Sequence, residues 1–140
     1  MLECVGNGGT TSDSVTVNFV PTPEEPAQII GHVVISEVLY DGVTPDSQNE
    51  WIEIYNGSAS AVDLTGWTIG DLSASTSISA LGTLQPGARA VIIASTTPAG
   101  IPGGVATIDL NANIPASGLA NGADVVVLRN ANAATVDLVS

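Results

Sequence analysis

The sequence contains no lysine, and its only cations apart from the N-terminus are Arg89 and Arg129. Two arginines cannot build the basic stripe that neutralises phosphates, which argues against nucleic acid and against anionic membrane surfaces as partners. Without lysine there is no Schiff-base chemistry, no P-loop phosphate site and no lysine isopeptide cross-link. One histidine, His32, leaves no site that needs two, and one cysteine, Cys4, leaves no intramolecular disulfide. No apolar run approaches the roughly 20 residues of a membrane span. Met1-Leu2-Glu3-Cys4 has neither the basic start nor the following apolar stretch of a signal peptide. An export signal is therefore expected elsewhere in a longer chain, or removed from it.

What remains is small, apolar and acidic. The chain has 140 residues, 44% of them apolar, enough for one core and a short appendage. Acids outnumber bases 14 to 2, for a net charge of −12. Charged residues total only 11%, against a usual figure of about 25%, so the acidity is not that of a salt-adapted surface. Serine, threonine, alanine, glycine and asparagine dominate, a composition common among secreted β-proteins.

Residues 1–31 differ from the rest. A Gly/Thr/Ser/Asn run, Gly6–Ser14, precedes an alternating stretch, Ser14–Val20, that suits one strand. Three prolines within Pro21–Pro26 then favour stiff, extended backbone that cannot join a ladder. This segment reads as a linker, with the strand before it either the last of a truncated preceding domain or an addition to an edge of the main one. From residue 32 to 140, strand and turn signals alternate: Val33–Tyr40, Glu50–Tyr55, Trp67–Ile69, Ser77–Leu84, Ala88–Ala94, Thr107–Leu110, Asp124–Arg129 and Thr135–Val139. No useful length shows helical periodicity with caps. Short strands at this spacing predict an all-β sandwich of about seven to nine antiparallel strands.

Alternation sketches the core. In Glu50–Tyr55, Ile52 and Ile54 share one face, and Trp51, Glu53 and Tyr55 the other. A carboxylate between two aromatics makes the isoleucine face the inner one. Val91 with Ile93, Val126 with Leu128, and Val136 with Leu138 are similar inner candidates. In Val33–Tyr40 a polar residue falls on each face, Ser36 on one and Glu37 on the other, which points to a bulge.

In order along the chain stand Val34-Ile35-Ser36-Glu37-Val38, Glu50-Trp51-Ile52-Glu53-Ile54-Tyr55-Asn56, Val62-Asp63-Leu64-Thr65-Gly66-Trp67-Thr68-Ile69 and Leu84-Gln85-Pro86-Gly87. Leu119–Leu128 and Val136–Val139 follow as a closing hairpin. The ordered set resembles the lamin-tail domain in its bacterial form, over about residues 32–140. The family usually runs a few residues past the equivalent of Ser140. The resemblance implies an immunoglobulin-like sandwich and a non-catalytic module of secreted or surface proteins, often beside nuclease, phosphatase or other hydrolase domains.

Trp67 reads as a core aromatic between the sheets. Trp51, Glu53 and Tyr55, on an outer face, form a candidate binding surface for a protein or a polysaccharide. Asp41, Asp46, Asn49 and Glu50 crowd one loop with oxygen ligands that suit calcium, though without EF-hand spacing. No nucleophile–base pair and no Gly-x-Ser-x-Gly elbow occurs, so catalysis is not expected. Asn56-Gly57-Ser58 is a glycosylation sequon, read first as a turn after its strand. The leading reading is a non-catalytic interaction or spacer module, monomeric in isolation, of a secreted or surface multidomain bacterial protein. A calcium- or carbohydrate-binding module is the alternative.

Overall fold

A computed structural model describes residues 2–6, 9–13, 32–42, 46–114, 118–121 and 124–140. The stretch Ser14–Val20 and the proline-rich segment after it lie outside these residues. Near the N-terminus, β1 (Leu2–Gly6) and β2 (Gly9–Asp13) pair antiparallel, with Gly6 opposite Gly9. This hairpin corrects the expectation of a strandless Gly/Thr/Ser/Asn run over Gly6–Ser14. The signal was Asn7-Gly8, the dipeptide between the two strands and a strong hairpin mark.

The main body is a sandwich of two four-stranded sheets. The first contains β3 (Val33–Leu39), β4 (Trp51–Asn56), β9 (Arg89–Ile93) and β10 (Ala106–Asp109), in the order β10-β9-β4-β3. The second contains β6 (Thr68–Gly70), β7 (Ser75–Ser77), β11 (Val126–Arg129) and β12 (Thr135–Val139), in the order β12-β11-β6-β7. A small ribbon joins β5 (Val62–Asp63) to β8 (Thr83–Leu84). One helical turn, Asp46–Asn49, precedes β4. Among the described residues all pairings are antiparallel except β9 with β10. The connection 94–105 is long enough for the crossover that a parallel pair requires.

Alternation in β4 is as expected: Ile52 and Ile54 are fully buried, and Trp51, Glu53 and Tyr55 are half-buried on the opposite face. The bulge in β3 is also present. Ser36 is passed over between the pairs Ile35–Ile54 and Glu37–Glu53, so Ile35 and Val38 both face inward.

Four expectations need correction. In β9 the inner pair is Ala90 and Ile92, opposite Ile54 and Ile52; Val91 and Ile93 lie opposite Glu53 and Trp51 on the outer face. A second bulge passes over Val136, so Val136 packs against the core while Leu138 stands opposite Val127 and is 48% exposed. The expected strand Ser77–Leu84 is broken by a 3-10 turn, Ser79–Leu81, which ends at Gly82 with φ +68°. Trp67 lies at the margin of the core, half-buried against it rather than enclosed.

The turns show why the recognisable motifs recur. In Asp63–Trp67 the Trp67 N–H donates to the Leu64 carbonyl at 3.0 Å, and Gly66 takes φ +78°. The Asp63 carboxylate accepts the Thr65 hydroxyl and N–H, which hold it below the usual carboxylate range. Asp71 is lowered in the same way, chiefly by the Ala74 N–H.

Two stability predictions follow from this architecture. Ala133 closes the β11–β12 hairpin at φ +58°, where an L side chain costs about 1 kcal/mol or more. Ala133→Gly is expected to raise the melting midpoint by roughly 2–5 °C in calorimetry. Trp67→Ala is expected to cost about 2–4 kcal/mol in denaturant titration, more than Trp51→Ala, because Trp67 packs on the common core and Trp51 on the outer face. Equal losses would contradict this assignment of faces.

Candidate interaction face

Strand β4 positions the candidate site. Its inward positions read Glu50, Ile52, Ile54 and Asn56, with Glu50 just before the strand; all four are fully buried. Asn56 sits at one end of this row. Its Nδ2 donates to the Leu84 and Ser60 carbonyls at 2.8 and 2.9 Å. Its Oδ1 accepts the Ser58 N–H and hydroxyl at 3.0 and 2.6 Å. Its backbone also pairs with Ala88 and Gly87. Both amide hydrogens are therefore spent inside the fold, and the sequon reads as a turn. The nitrogen that glycosylation needs is buried.

Glu50 sits at the other end. Its Oε1 accepts the Leu119 N–H at 2.9 Å, and its backbone carbonyl accepts the Ala94 N–H at 3.0 Å. Gly118, at φ +90°, lies against this carboxylate; a Cβ there would stand 3.2 Å from Oε1 and 3.0 Å from the Ser47 Cβ. Of the loop residues considered for a cation, Glu50 is thus turned into the core. Asp41 is exposed and Asn49 half-buried. The Asp46 side chain lies outside the described residues. Among the described residues no three His, Cys, Asp or Glu side chains come together as metal ligands.

The outward positions of β4 are Trp51, Glu53 and Tyr55, and the structure brings all three onto one face. Cross-strand pairing arranges the face in rows: Val34–Tyr55–Arg89, Glu37–Glu53–Val91–Thr107, and Leu39–Trp51–Ile93–Asp109. Val91 and Ile93 are 5% and 2% exposed although they belong to this face, flanked by Trp51, Glu53 and Tyr55. Arg89 orders the surface. Its guanidinium lies 5.3 Å from the Tyr55 ring centroid and its Nη1 bonds Glu53 Oε1 at 2.5 Å. Ser36 Oγ donates to the same Glu53 oxygen at 2.7 Å. An exposed ion pair of this kind contributes at most about 1 kcal/mol to stability, but it fixes the rotamers of a carboxylate, a cation and an aromatic ring in one plane of the surface. Sequence reasoning missed Arg89, because its place depends on β9 pairing with β4 and no local signal states that.

The family model of the lamin tail domain matches residues 26–140. Comparison with curated proteins gives no match.

The Asn56 network generates a prediction. Asn56→Ala leaves the buried Leu84 and Ser60 carbonyls and the Ser58 N–H without that partner, and is expected to cost roughly 2–4 kcal/mol in denaturant titration. Asn56→Asp keeps the acceptor to Ser58 but loses both donors, and is expected to be destabilised as well. Wild-type stability in either variant would show that water replaces the network.

Proposed function

Since the chain belongs to the lamin tail domain family, an immunoglobulin-like fold family, we propose that it is a non-catalytic docking module which engages a protein partner through the outer face of β3, β4 and β9. The observation that carries this reading is the Trp51–Glu53–Tyr55–Arg89 surface: aromatic, held in place, and flanked by Val91 and Ile93. Binding energy concentrates in aromatic and arginine side chains whose rotamers are ordered before the partner arrives. Polysaccharide is the competing ligand for such a face, since a sugar ring stacks on tryptophan with a carboxylate beside it.

In this reading the module belongs to a larger bacterial protein exported to the cell surface or the medium. Support comes from the small, polar, lysine-free composition and from the proline-rich segment before the domain. No described helix is long and apolar enough to cross a membrane.

The test is photo-cross-linking in the full parent protein. A benzophenone amino acid at position 55 is expected to capture a discrete protein, and the same group at the exposed Thr97 is not. Trp51→Ala and Arg89→Ala should each reduce the yield roughly tenfold, the loss of one central hot spot. Equal cross-linking at both positions would overturn the assignment of the face. Retention on a polysaccharide column that Trp51→Ala abolishes would replace the protein by a glycan.

A further inference from the structure

A second surface lies where the two sheets meet. Strands β3 and β12 are edge strands of opposite sheets. They are tied by a cross-sheet bond, the Ile35 N–H donating to Asp137 Oδ2 at 2.7 Å. Immediately beyond this clasp, along both strands, a groove of about 480 Å³ opens to solvent. That is the size of a pocket for a few side chains. Ile35, Leu119 and Val126, all nearly buried, are among its lining residues, with the exposed Tyr40 and Val139 beside them.

The charge around the groove has one sign. Glu37 and Asp124 line it, Asp124 with its carboxylate accepting the Ala120 and Val125 N–H groups at 3.0 and 2.7 Å, and none of its lining residues is a cation. The chain's own arginines are placed elsewhere: Arg89 bonds Glu53, and Arg129 Nη1 reaches the Asp71 carbonyl at 3.4 Å. Glu37 stands directly opposite Glu53 in the β3–β4 ladder, a like-charge pairing that Arg89 and Ser36 relieve on the Glu53 side. A second copy of this chain makes a poor occupant, because it brings a net charge of −12 and no lysine.

We propose that this groove binds an extended segment of another protein in which arginine or lysine alternates with a bulky apolar residue. The apolar side chains fill the space between Ile35, Leu119 and Val126. The cations reach Glu37 and Asp124. The backbone runs between two sheet edges, the arrangement in which extended peptides are captured by strand addition. This surface is distinct from the Trp51–Tyr55 face, with Glu37 bordering both, and its test reports the two separately.

The experiment is a titration of the isotopically labelled chain with two short capped peptides, one alternating arginine and valine, the other arginine and serine, followed by amide chemical shifts. The arginine–valine peptide is expected to move the amides of Val38, Leu39, Tyr40, Leu119, Ala120 and Val139, and to bind roughly tenfold more tightly than the arginine–serine peptide. Tyr40→Ser, a change at an exposed position, is expected to weaken binding about fivefold without altering the melting midpoint. Glu37→Gln should weaken it by a similar factor at low salt and by less at high salt. Equal affinity for both peptides would reduce the effect to overall charge and overturn the proposal. Shifts confined to the Trp51–Tyr55 face, or none at millimolar peptide, would overturn it too.

Discussion

One strand fixes most of this molecule, because its buried face carries polar groups at both ends. A buried carboxamide or carboxylate must find hydrogen-bond partners, and the penalty for leaving one unmet is comparable to a sizeable share of a small domain's stability. Asn56 meets its need by gathering the turn at Ser58–Ser60 with the residues either side of Pro86-Gly87. Glu50 accepts the Leu119 N–H and, through its main chain, the Ala94 N–H at the end of β9. Between them Ile52 and Ile54 fill the centre of the core. The chain on both sides of β4 is therefore positioned by the same row of four residues. Since side chains alternate, fixing that row also fixes its complement: Trp51, Glu53 and Tyr55 face outward, and a slip of one residue would bury them and expose the isoleucines.

This explains which parts of the fold were legible in the sequence. Strand β4 could be read because a glutamate between two aromatics marks the wet face. The β3 bulge could be read because Ser36 and Glu37 put a polar residue on each face, which a regular strand cannot accommodate. Strand β9 could not. Arg89-Ala90-Val91-Ile92-Ile93 has no alternation after its first residue, and size pointed the wrong way: alanine lies inward at position 90, opposite Ile54. The bulge at Val136 was hidden because Val136 and Leu138 are both apolar, and Asp137 points to the clasp rather than to water. In Ser77–Leu84 the deciding feature was Gly82, whose positive φ ends a 3-10 turn where a straight strand had been expected.

The motifs that mark the family are, by the same logic, statements about fold. Asp63–Trp67 is a turn held by a carboxylate, a hydroxyl and a glycine. The flanks of the β4 motif, Glu50 and Asn56, are its structural ends. Glu50 and Asn56 are buried and the Asp63 carboxylate is engaged within its own turn, so a match to these residues carries the immunoglobulin-like sandwich with it and leaves the partner open. Residues free to encode a partner are the outward positions between the structural ones. There the site was half legible: the three β4 side chains were placed by alternation alone, but Arg89, 36 residues away from Glu53, entered only through the β4–β9 register.

The two surfaces differ in what they lack. On the outer face the only nearby arginine is already committed to Glu53 and Tyr55, so that face is locally balanced and presents aromatic area. In the groove no arginine meets the carboxylates, although Asp124 accepts the Ala120 and Val125 N–H groups, and the apolar lining is exposed at Tyr40 and Val139. Glu37 belongs to both, opposite Glu53 in the ladder and on the rim of the groove. The two surfaces thus share one bordering residue but present different chemistry, ordered aromatic area on one and carboxylates around an apolar lining on the other.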